Sequence, residues 1–516
     1  MPTQSIEERG LWRPTLTYFQ RFQTGPNALE CAGILKGKRE LEKAGETKGN
    51  AAGQPANPDR KAGELTQDGC SMTGFAFQIM DLVGPDLAVV VFGERDCATA
   101  FPRITAQFAS LERWNVYTVA LRETDVIAGN AEGRLRDCLV AVARQLLESV
   151  DVSGAVGGVQ RSPAIIVLST CLSEMTGADP VPICEAVSRE TGIKIIPVAT
   201  SGLKLRTQAG IVDQVAETLI GGLADFGPVD PKAVNLLGYQ TDGAEDITVT
   251  DRVFRAEADR LIAAFGGRLN STVPAGATIA DWQNLPRAGL NFVVEKPLMR
   301  GVVKMLDGGG RRFIELAQPK GIAASDRFYS AIAAELGVDA EPILAAFEPR
   351  QKAAAIFEEA RSRFTGMRLA YGIGSVHNFR PDLLALEGLG NLPLFLELGF
   401  DVEIVIQERD YPEVHQRIKR NLEILGVDAP YSLFYEPAVL EPALRNGRFD
   451  CAYVADFMRD QVVRAGIPML PFGDASSGYW FAGQTVRQIS RTLGAVFDRR
   501  WSRYFQGARE STGGGR

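Results

Sequence analysis

Cys97 and Cys171 are the side chains of this 516-residue chain that the sequence best places for chemistry. Around Cys97 the sequence reads LAVVVFGERDCATAF: an apolar run from Leu87 to Phe92, then Gly93, then a short polar turn carrying the thiol. Around Cys171 it reads AIIVLSTCLSEMTGADP: an apolar run from Ala164 to Leu168, then Ser169, Thr170 and the cysteine. Continuous Val/Ile/Leu runs of this length read as strands buried on both faces. Residues just past the carboxyl ends of such strands line the binding crevice of an open α/β sheet. Cys70 opens a third segment, GCSMTGFAFQI, upstream of the first strand. Three cysteines near one edge of one sheet could ligate a soft metal or an iron–sulfur cluster, because both take thiolate.

Each signal has a plainer alternative. A single free cysteine is often just a buried thiol; matched strand ends and the third cysteine favour ligation here. Cys31, in ALECAGILKGK, is an alternative third ligand. Cys138, Cys184 and Cys451 lie in apolar helix or strand contexts and read as core. Gly93 serves close backbone approach or is a turn glycine. Ser169 and Thr170 could donate hydrogen bonds to a cluster sulfur, or cap the helix that follows. The glycines at 308–310 lack the phosphate-loop pattern and read as a tight turn. Asp456 and Asp474 are candidate cleft residues at strand ends, and the basic stretch RRWSRYFQGAR reads as a solvated helix or docking surface.

The elements that must position these residues alternate. Strands are expected near 87–93, 115–121, 164–169 and 193–198, with a helix over 133–149 whose Leu135, Leu139, Val142 and Leu146 share a face. Such alternation implies parallel βαβ units. A second unit has strands near 233–238, 291–294 and 313–316 and a helix around Arg255–Phe265. There PKGIAASDRF runs into a further helix with Ser325 or Asp326 near its cap. A third has strands at Arg368–Tyr371, Asp401–Ile406, Asp450–Val454 and Ile467–Leu470, with a helix at Leu383–Leu398. The division expected is an N-terminal extension and linker (1–69), a cluster-binding α/β domain (70–230), a second α/β domain (231–365) and a third with C-terminal helices (366–516). A chain this long exceeds one hydrophobic core. The net charge of −7 gives no footprint for nucleic acid. No apolar run is long enough to span a membrane, and no secretory pattern opens the sequence, so a cytoplasmic location is expected. Two histidines, His377 and His415, leave little basis for a His-rich metal site.

These residues resemble component 1 of the nitrogenase family and its nitrogenase-like relatives, among them protochlorophyllide reductase, chlorophyllide reductase, cofactor-assembly scaffolds and methylthio-alkane reductase. Gly69-Cys70 is similar to the family's early cysteine. FGERDC resembles its G-x-x-G-C turn, STCLSEMTGADP its T-C-x-x-x-x-G-D-D loop, and TVALRETDVIAGNAEGRLRDCL its T-x-L-x-E-x-D-x-V-F-G-G segment. Weaker similarities are VNLLG, PKGIAASDRF, LFLELGFDVEIV and RAGIPMLPFGD. The resemblance implies three successive Rossmann-like parallel α/β domains. It nominates Cys70, Cys97 and Cys171 as ligands of an iron–sulfur cluster, 8Fe–7S or 4Fe–4S, shared with a homologous α-type subunit. It implies electrons from an ATP-dependent iron protein, a small-molecule substrate reduced in the complex, and a dimer of heterodimers. No cysteine lies between Cys184 and Cys451, and neither GSVHNF nor PEVHQR resembles the family's cofactor-binding histidine segment. A β-type, electron-relaying subunit is therefore implied, with similarity also to the N-type subunit of protochlorophyllide reductase. The alternative is a scaffold for cofactor assembly. The turn reads GERDC where the family has a second glycine, and GADP replaces the acidic pair.

Overall fold

The computed structural model describes residues 87–93, 116–153, 163–200, 208–239, 247–274, 277–294, 299–373, 389–407, 414–434, 437–454, 459–471 and 477–494. They form three all-parallel sheets flanked by helices.

The first sheet is built from β1 (Leu87–Gly93), β2 (Val116–Ala120), β3 (Ala164–Ser169) and β4 (Lys194–Ala199), in the order β2-β1-β3-β4. Its helices are α1 (Glu123–Ile127), α2 (Ala131–Ser153), α3 (Cys171–Met175), α4 (Pro180–Thr191) and α5 (Gln208–Leu223). The four strands fall on the runs read as strands. Alternation explains why those runs are apolar throughout. Leu87, Val89 and Val91 enter one core with Val215 and Leu219 of α5, while Ala88, Val90 and Phe92 enter another with Leu135 and Leu139 of α2.

The second sheet runs β6-β5-β7-β8, from β5 (Asp230–Tyr239), β6 (Arg268–Pro274), β7 (Ala288–Val293) and β8 (Arg312–Glu315). Its helices are α6 (Ile247–Ala264), α7 (Ile279–Asn284), α8 (Arg300–Gly308) and α9 (Ile322–Glu335). Buried Asn235 donates to Leu285 O at 2.7 Å and to Asn291 Oδ1 at 2.8 Å, and Asn270 donates to Asn235 Oδ1 at 2.8 Å. This ladder satisfies polar groups that would otherwise be costly to bury, and it holds the end of α7 against the sheet.

Then α10 (Glu341–Ala346) and α11 (Glu348–Phe364) lead to the third sheet. Its strands are β9 (Arg368–Ile373), β10 (Asp401–Gln407), β11 (Tyr431–Phe434), β12 (Cys451–Val454) and β13 (Met469–Pro471), in the order β11-β10-β9-β12-β13. Its helices are α12 (Leu392–Glu397), α13 (Val414–Leu425), α14 (Pro437–Asn446), α15 (Arg459–Ala465) and α16 (Tyr479–Gly494).

Neighbouring sheets share cores. Leu87, Val89, Ile166 and Leu168 of the first sheet lie in one cluster with Leu237, Val273 and Val293 of the second. The opposite face of the second sheet, with Val234 and Leu236, joins Leu369 and Tyr371 of the third. Among the described residues no helix is long and apolar enough to cross a membrane.

Two expectations need amendment. The cap of α9 is neither Ser325 nor Asp326. Gly321, at φ 88°, takes the N-cap position, and the Glu397 carboxylate of α12 accepts from Ile322 N at 3.0 Å and Ala323 N at 3.1 Å. Ser325 lies one turn inside, donating to Gly321 O at 2.7 Å. The carboxylate comes from a residue distant in sequence, so no local pattern could signal it. The helix expected over Leu383–Leu398 is seen as Leu392–Glu397, with residues 374–388 outside the described set. The turn read at 308–310 is present: α8 ends at Gly308, and Gly310 has φ 73°.

Candidate functional site

In the first sheet the chain adds β2 on one side of β1 and then β3 and β4 on the other. The carboxyl ends of β1 and β3 therefore flank a topological switch point, where open α/β sheets bind ligands. Backbone hydrogen bonds tie the four strand ends together. Gly93 O accepts from Leu121 N at 2.8 Å, and Phe92 O from Thr170 N at 3.0 Å. Ser169 O accepts from Thr200 N at 3.2 Å and from Thr200 Oγ1 at 2.9 Å.

Gly93 closes β1 in strand conformation, so it is not a turn glycine. Space is what demands glycine. A Cβ added there would overlap the Thr170 hydroxyl and stand 2.6 Å from both Cβ and Cγ2 of Thr170. Thr170 is fully buried. It occupies the N-cap position of α3, yet its side chain closes no cap bond; Ser173 Oγ instead donates to Thr170 O at 2.9 Å. The capping alternative for Thr170 is thus not realised.

Cys171 opens α3 and is partly exposed, whereas Cys138, Cys184 and Cys451 have 0% exposure. Burial pushes the Cys184 and Cys451 thiols up to about 12, which leaves them protonated and inert at neutral pH. A thiol must be reached to react, so iodoacetamide at pH 8 is expected to modify Cys171 well before the other three. Peptide mass spectrometry checks this; alkylation of Cys184 or Cys451 at the rate of Cys171 would contradict the assignment.

Cys70, Cys97 and Cys31 lie outside the described residues, as do Asp456, Asp474 and the basic C-terminal stretch. Among the described residues no three His, Cys, Asp or Glu side chains gather as a metal-holding group.

Beside α3 an open cavity of about 640 Å³ lies at the carboxyl ends of β3 and β4, with Ser169, Glu174, Met175, Asp179, Pro197 and Gln214 in its wall. Large apolar side chains stand out along the same edge: Ile127 at the end of α1 is 77% exposed and Met175 at the end of α3 is 72% exposed.

Two polar features away from this edge were not legible as sites. Lys320, on the segment leaving β8, is only 5% exposed, and burial pulls its ammonium down to about 7. Within PKGIAASDRF it reads as an ordinary loop lysine. Glu257 of α6 is buried and accepts from Tyr479 N at 2.9 Å, Trp480 N at 3.1 Å and Tyr329 Oη at 3.2 Å. Burial pushes its carboxyl up, against the pull of those donors. For Asp326, burial also acts upward, but the Arg350 guanidinium at 2.8 Å and the Tyr479 hydroxyl at 2.6 Å outweigh it and hold the carboxyl below its ordinary range.

The Nitrogenase component 1 type Oxidoreductase family matches residues 82–483, well over half of the chain. A subunit of the light-independent protochlorophyllide reductase of Methylobacterium sp. (strain 4-46) is 28% identical over 190 residues, 36% of this chain and 36% of that protein. The nitrogenase iron-molybdenum cofactor biosynthesis protein NifE of Nostoc sp. (strain PCC 7120) is 24% identical over 402 residues, 75% of this chain and 73% of that protein. The chain thus spans only about a third of the length of the first curated relatives it matches. Among solved structures, nitrogenase Cp1 at pH 5 superposes with a TM-score of 0.64 at 15% identity, over 86% of this chain and 92% of that one. The same protein at pH 6.5 gives 0.62 at 14% identity, over 88% and 96%. At such identity the likeness establishes the fold.

Proposed function

Because the chain belongs to the nitrogenase component 1 type oxidoreductases, we propose that it is the iron–sulfur subunit of a two-component, nitrogenase-like reductase. It relays low-potential electrons from an ATP-dependent iron protein toward a catalytic site in a paired, homologous α-type subunit, where a small molecule is reduced. The observation that carries this reading is Cys171. Among the four described cysteines it alone is partly exposed, and it sits at the switch point, one residue from the contact with Gly93. The donor set suits the group, since thiolates are what iron–sulfur clusters take. Cys70, Cys97 and Cys171 would hold the cluster, with Gly93 and Thr170 shaping the wall beneath it. When bound, such a cluster supplies one-electron storage at low potential. The exposed apolar side chains Ile127 and Met175 suit a face that a second subunit covers. Cluster type, 8Fe–7S or 4Fe–4S, depends on the ligands that subunit brings.

A second reading is a scaffold on which an iron–sulfur cofactor is assembled. The length of the match to the NifE relative, twice the share found for the reductase subunit, favours it. A tetrapyrrole reductase subunit is the third member of this set, in keeping with the protochlorophyllide reductase relative.

The test is anaerobic purification of the chain with its homologous partner, followed by iron and sulfide analysis and EPR after dithionite reduction. The expected result is a reducible iron–sulfur signal that is lost, with most of the iron, in Cys171→Ala while the far-UV circular dichroism stays unchanged. A colourless, iron-free wild-type complex would overturn the relay and the scaffold alike. Release of the iron to an apo-acceptor protein, without substrate turnover under iron protein and ATP, would select the scaffold.

A further inference from the structure

We propose that Thr200 and Ser173 are positioning residues for Cys171. Their hydroxyls hold the two peptide units that lead into this cysteine and so fix where its Cα stands. The inference deepens the cluster reading above and rests on it.

Three observations carry it. First, the Ser169 carbonyl takes two donors from one residue, Thr200 N at 3.2 Å and Thr200 Oγ1 at 2.9 Å. Pairing of β3 with β4 needs only backbone bonds. Here a side-chain donor is added where the ladder ends, at the carbonyl two residues before Cys171. The other end of the same peptide unit, Thr170 N, donates to Phe92 O of β1 at 3.0 Å. Second, the next peptide unit, which joins Thr170 to Cys171, is held through its own carbonyl. Ser173 Oγ donates to Thr170 O at 2.9 Å, closer than the helical donor Glu174 N at 3.3 Å. Third, Ser169, Ser173 and Thr200 are all buried, whereas Cys171 beside them is partly exposed. Water does not stand in for a buried donor, so each hydroxyl carries an orientation that the backbone would otherwise lose.

The consequence follows from tolerances. A chain leaving a strand ordinarily gains freedom at its first unpaired residues. Metal-ligand and catalytic constellations need their groups held within about 0.5 Å. With Ser169 O, Thr170 N and Thr170 O all bonded, the sheet itself sets the path of the backbone into Cys171, and the thiol keeps its own side-chain rotation.

The experiment compares wild type, Thr200→Val, Thr200→Ser, Ser173→Ala and Leu444→Ala. The full chain, stripped of iron, is read by the iodoacetamide alkylation rate of Cys171 and by far-UV circular dichroism. The anaerobically purified complex with the homologous partner is read by EPR after dithionite reduction and by the rate at which bathophenanthroline disulfonate withdraws its iron. Thr200→Val and Ser173→Ala each release one peptide unit, and each is expected to raise the alkylation rate about fivefold. Iron withdrawal should quicken about tenfold in both, with a displaced EPR signal and an unchanged dichroism spectrum. Thr200→Ser keeps the donor and stays at wild-type values. Leu444→Ala empties the separate core on the outer face of the third sheet and leaves alkylation, iron withdrawal and EPR unmoved. An effect at one hydroxyl alone assigns the role to that residue and withdraws it from the other. Wild-type behaviour of both Thr200→Val and Ser173→Ala would overturn the proposal. So would a Thr200→Ser variant as fast as Thr200→Val, or an equal acceleration in Leu444→Ala. A wild-type complex without iron would overturn the cluster reading, and the proposal with it, so the wild type tells the two failures apart.

Discussion

Glu257→Ala is expected to lower the unfolding free energy by about 3 kcal/mol at neutral pH, because it removes the acceptor of two backbone donors at a helix start and of one buried hydroxyl. Two are the backbone N–H groups of Tyr479 and Trp480. They belong to the first turn of α16, where no intrahelical partner exists. The third is the Tyr329 hydroxyl. Each backbone N–H left unsatisfied costs about 1–3 kcal/mol, offset in part by removing a carboxylate whose own burial is unfavourable. Glu257→Gln retains one acceptor but turns an amide N–H₂ toward a donor, so a loss of about 1–2 kcal/mol is expected. The pH dependence discriminates further. Burial raises the Glu257 carboxyl above its ordinary value, so the folded chain binds more protons than the unfolded one in the window between the two. Wild-type stability from this group therefore falls as pH rises from the ordinary glutamate value through the raised one. Glu257→Gln lacks that slope, so its deficit shrinks as pH rises across the window. Urea unfolding of wild type and both variants at two pH values measures this. An alanine variant within about 1 kcal/mol of wild type would show that solvent reaches the start of α16 and satisfies it.

The consequence reaches past one helix. Tyr479 stacks on Tyr329 with centroids 5.7 Å apart, and Gly478 N donates to Pro319 O at 2.8 Å, beside buried Lys320. Glu257 thus joins α6 and α9, which flank the second sheet, to the helix that follows the third. Its partners stand 222 and 223 residues away in sequence, and this separation explains why the clasp is illegible there. Periodicity reports which face of an element is apolar; it does not report what that face meets. LAVVVF and AIIVLS could be read as strands buried on both faces because both periods are apolar, and the structure places them side by side as β1 and β3. The core thiols Cys138, Cys184 and Cys451 were legible for the same reason, each surrounded by apolar residues of its own element. The reason for Gly93 was only half legible. A glycine between a strand and a cysteine signals either a turn or a close approach, and only the position of Thr170, brought over by the β1–β3 pairing, decides between them. Lys320 carries no local signal at all, since its burial is made by surrounding elements rather than by its own segment.

Trp282→Ala is expected to cost about 3–5 kcal/mol, the range for emptying a large aromatic site in a packed core. Trp282, on the six-residue helix α7, is fully buried. Its core holds Val91 and Leu168 of the first sheet together with Leu237 and Val293 of the second. The indole Nε1 has no hydrogen-bond partner among the described residues. Phenylalanine would remove that unsatisfied donor along with part of the ring, so Trp282→Phe should cost only about 1 kcal/mol. Position adds a second effect. Val91 and Leu168 lie two residues before Gly93 and Thr170 on the same strands, so a cavity in this core removes packing beneath the paired strand ends. Alkylation of Cys171 should therefore accelerate in Trp282→Ala. It should not in Leu444→Ala, which empties the separate core on the outer face of the third sheet. Urea unfolding gives the stability terms and peptide mass spectrometry the alkylation rates. Equal rates in the two variants would mean that the strand ends are held by their own hydrogen bonds and the Gly93–Thr170 contact alone. A faster Trp282→Ala would mean that the core between the first two sheets braces the edge on which Cys171 stands.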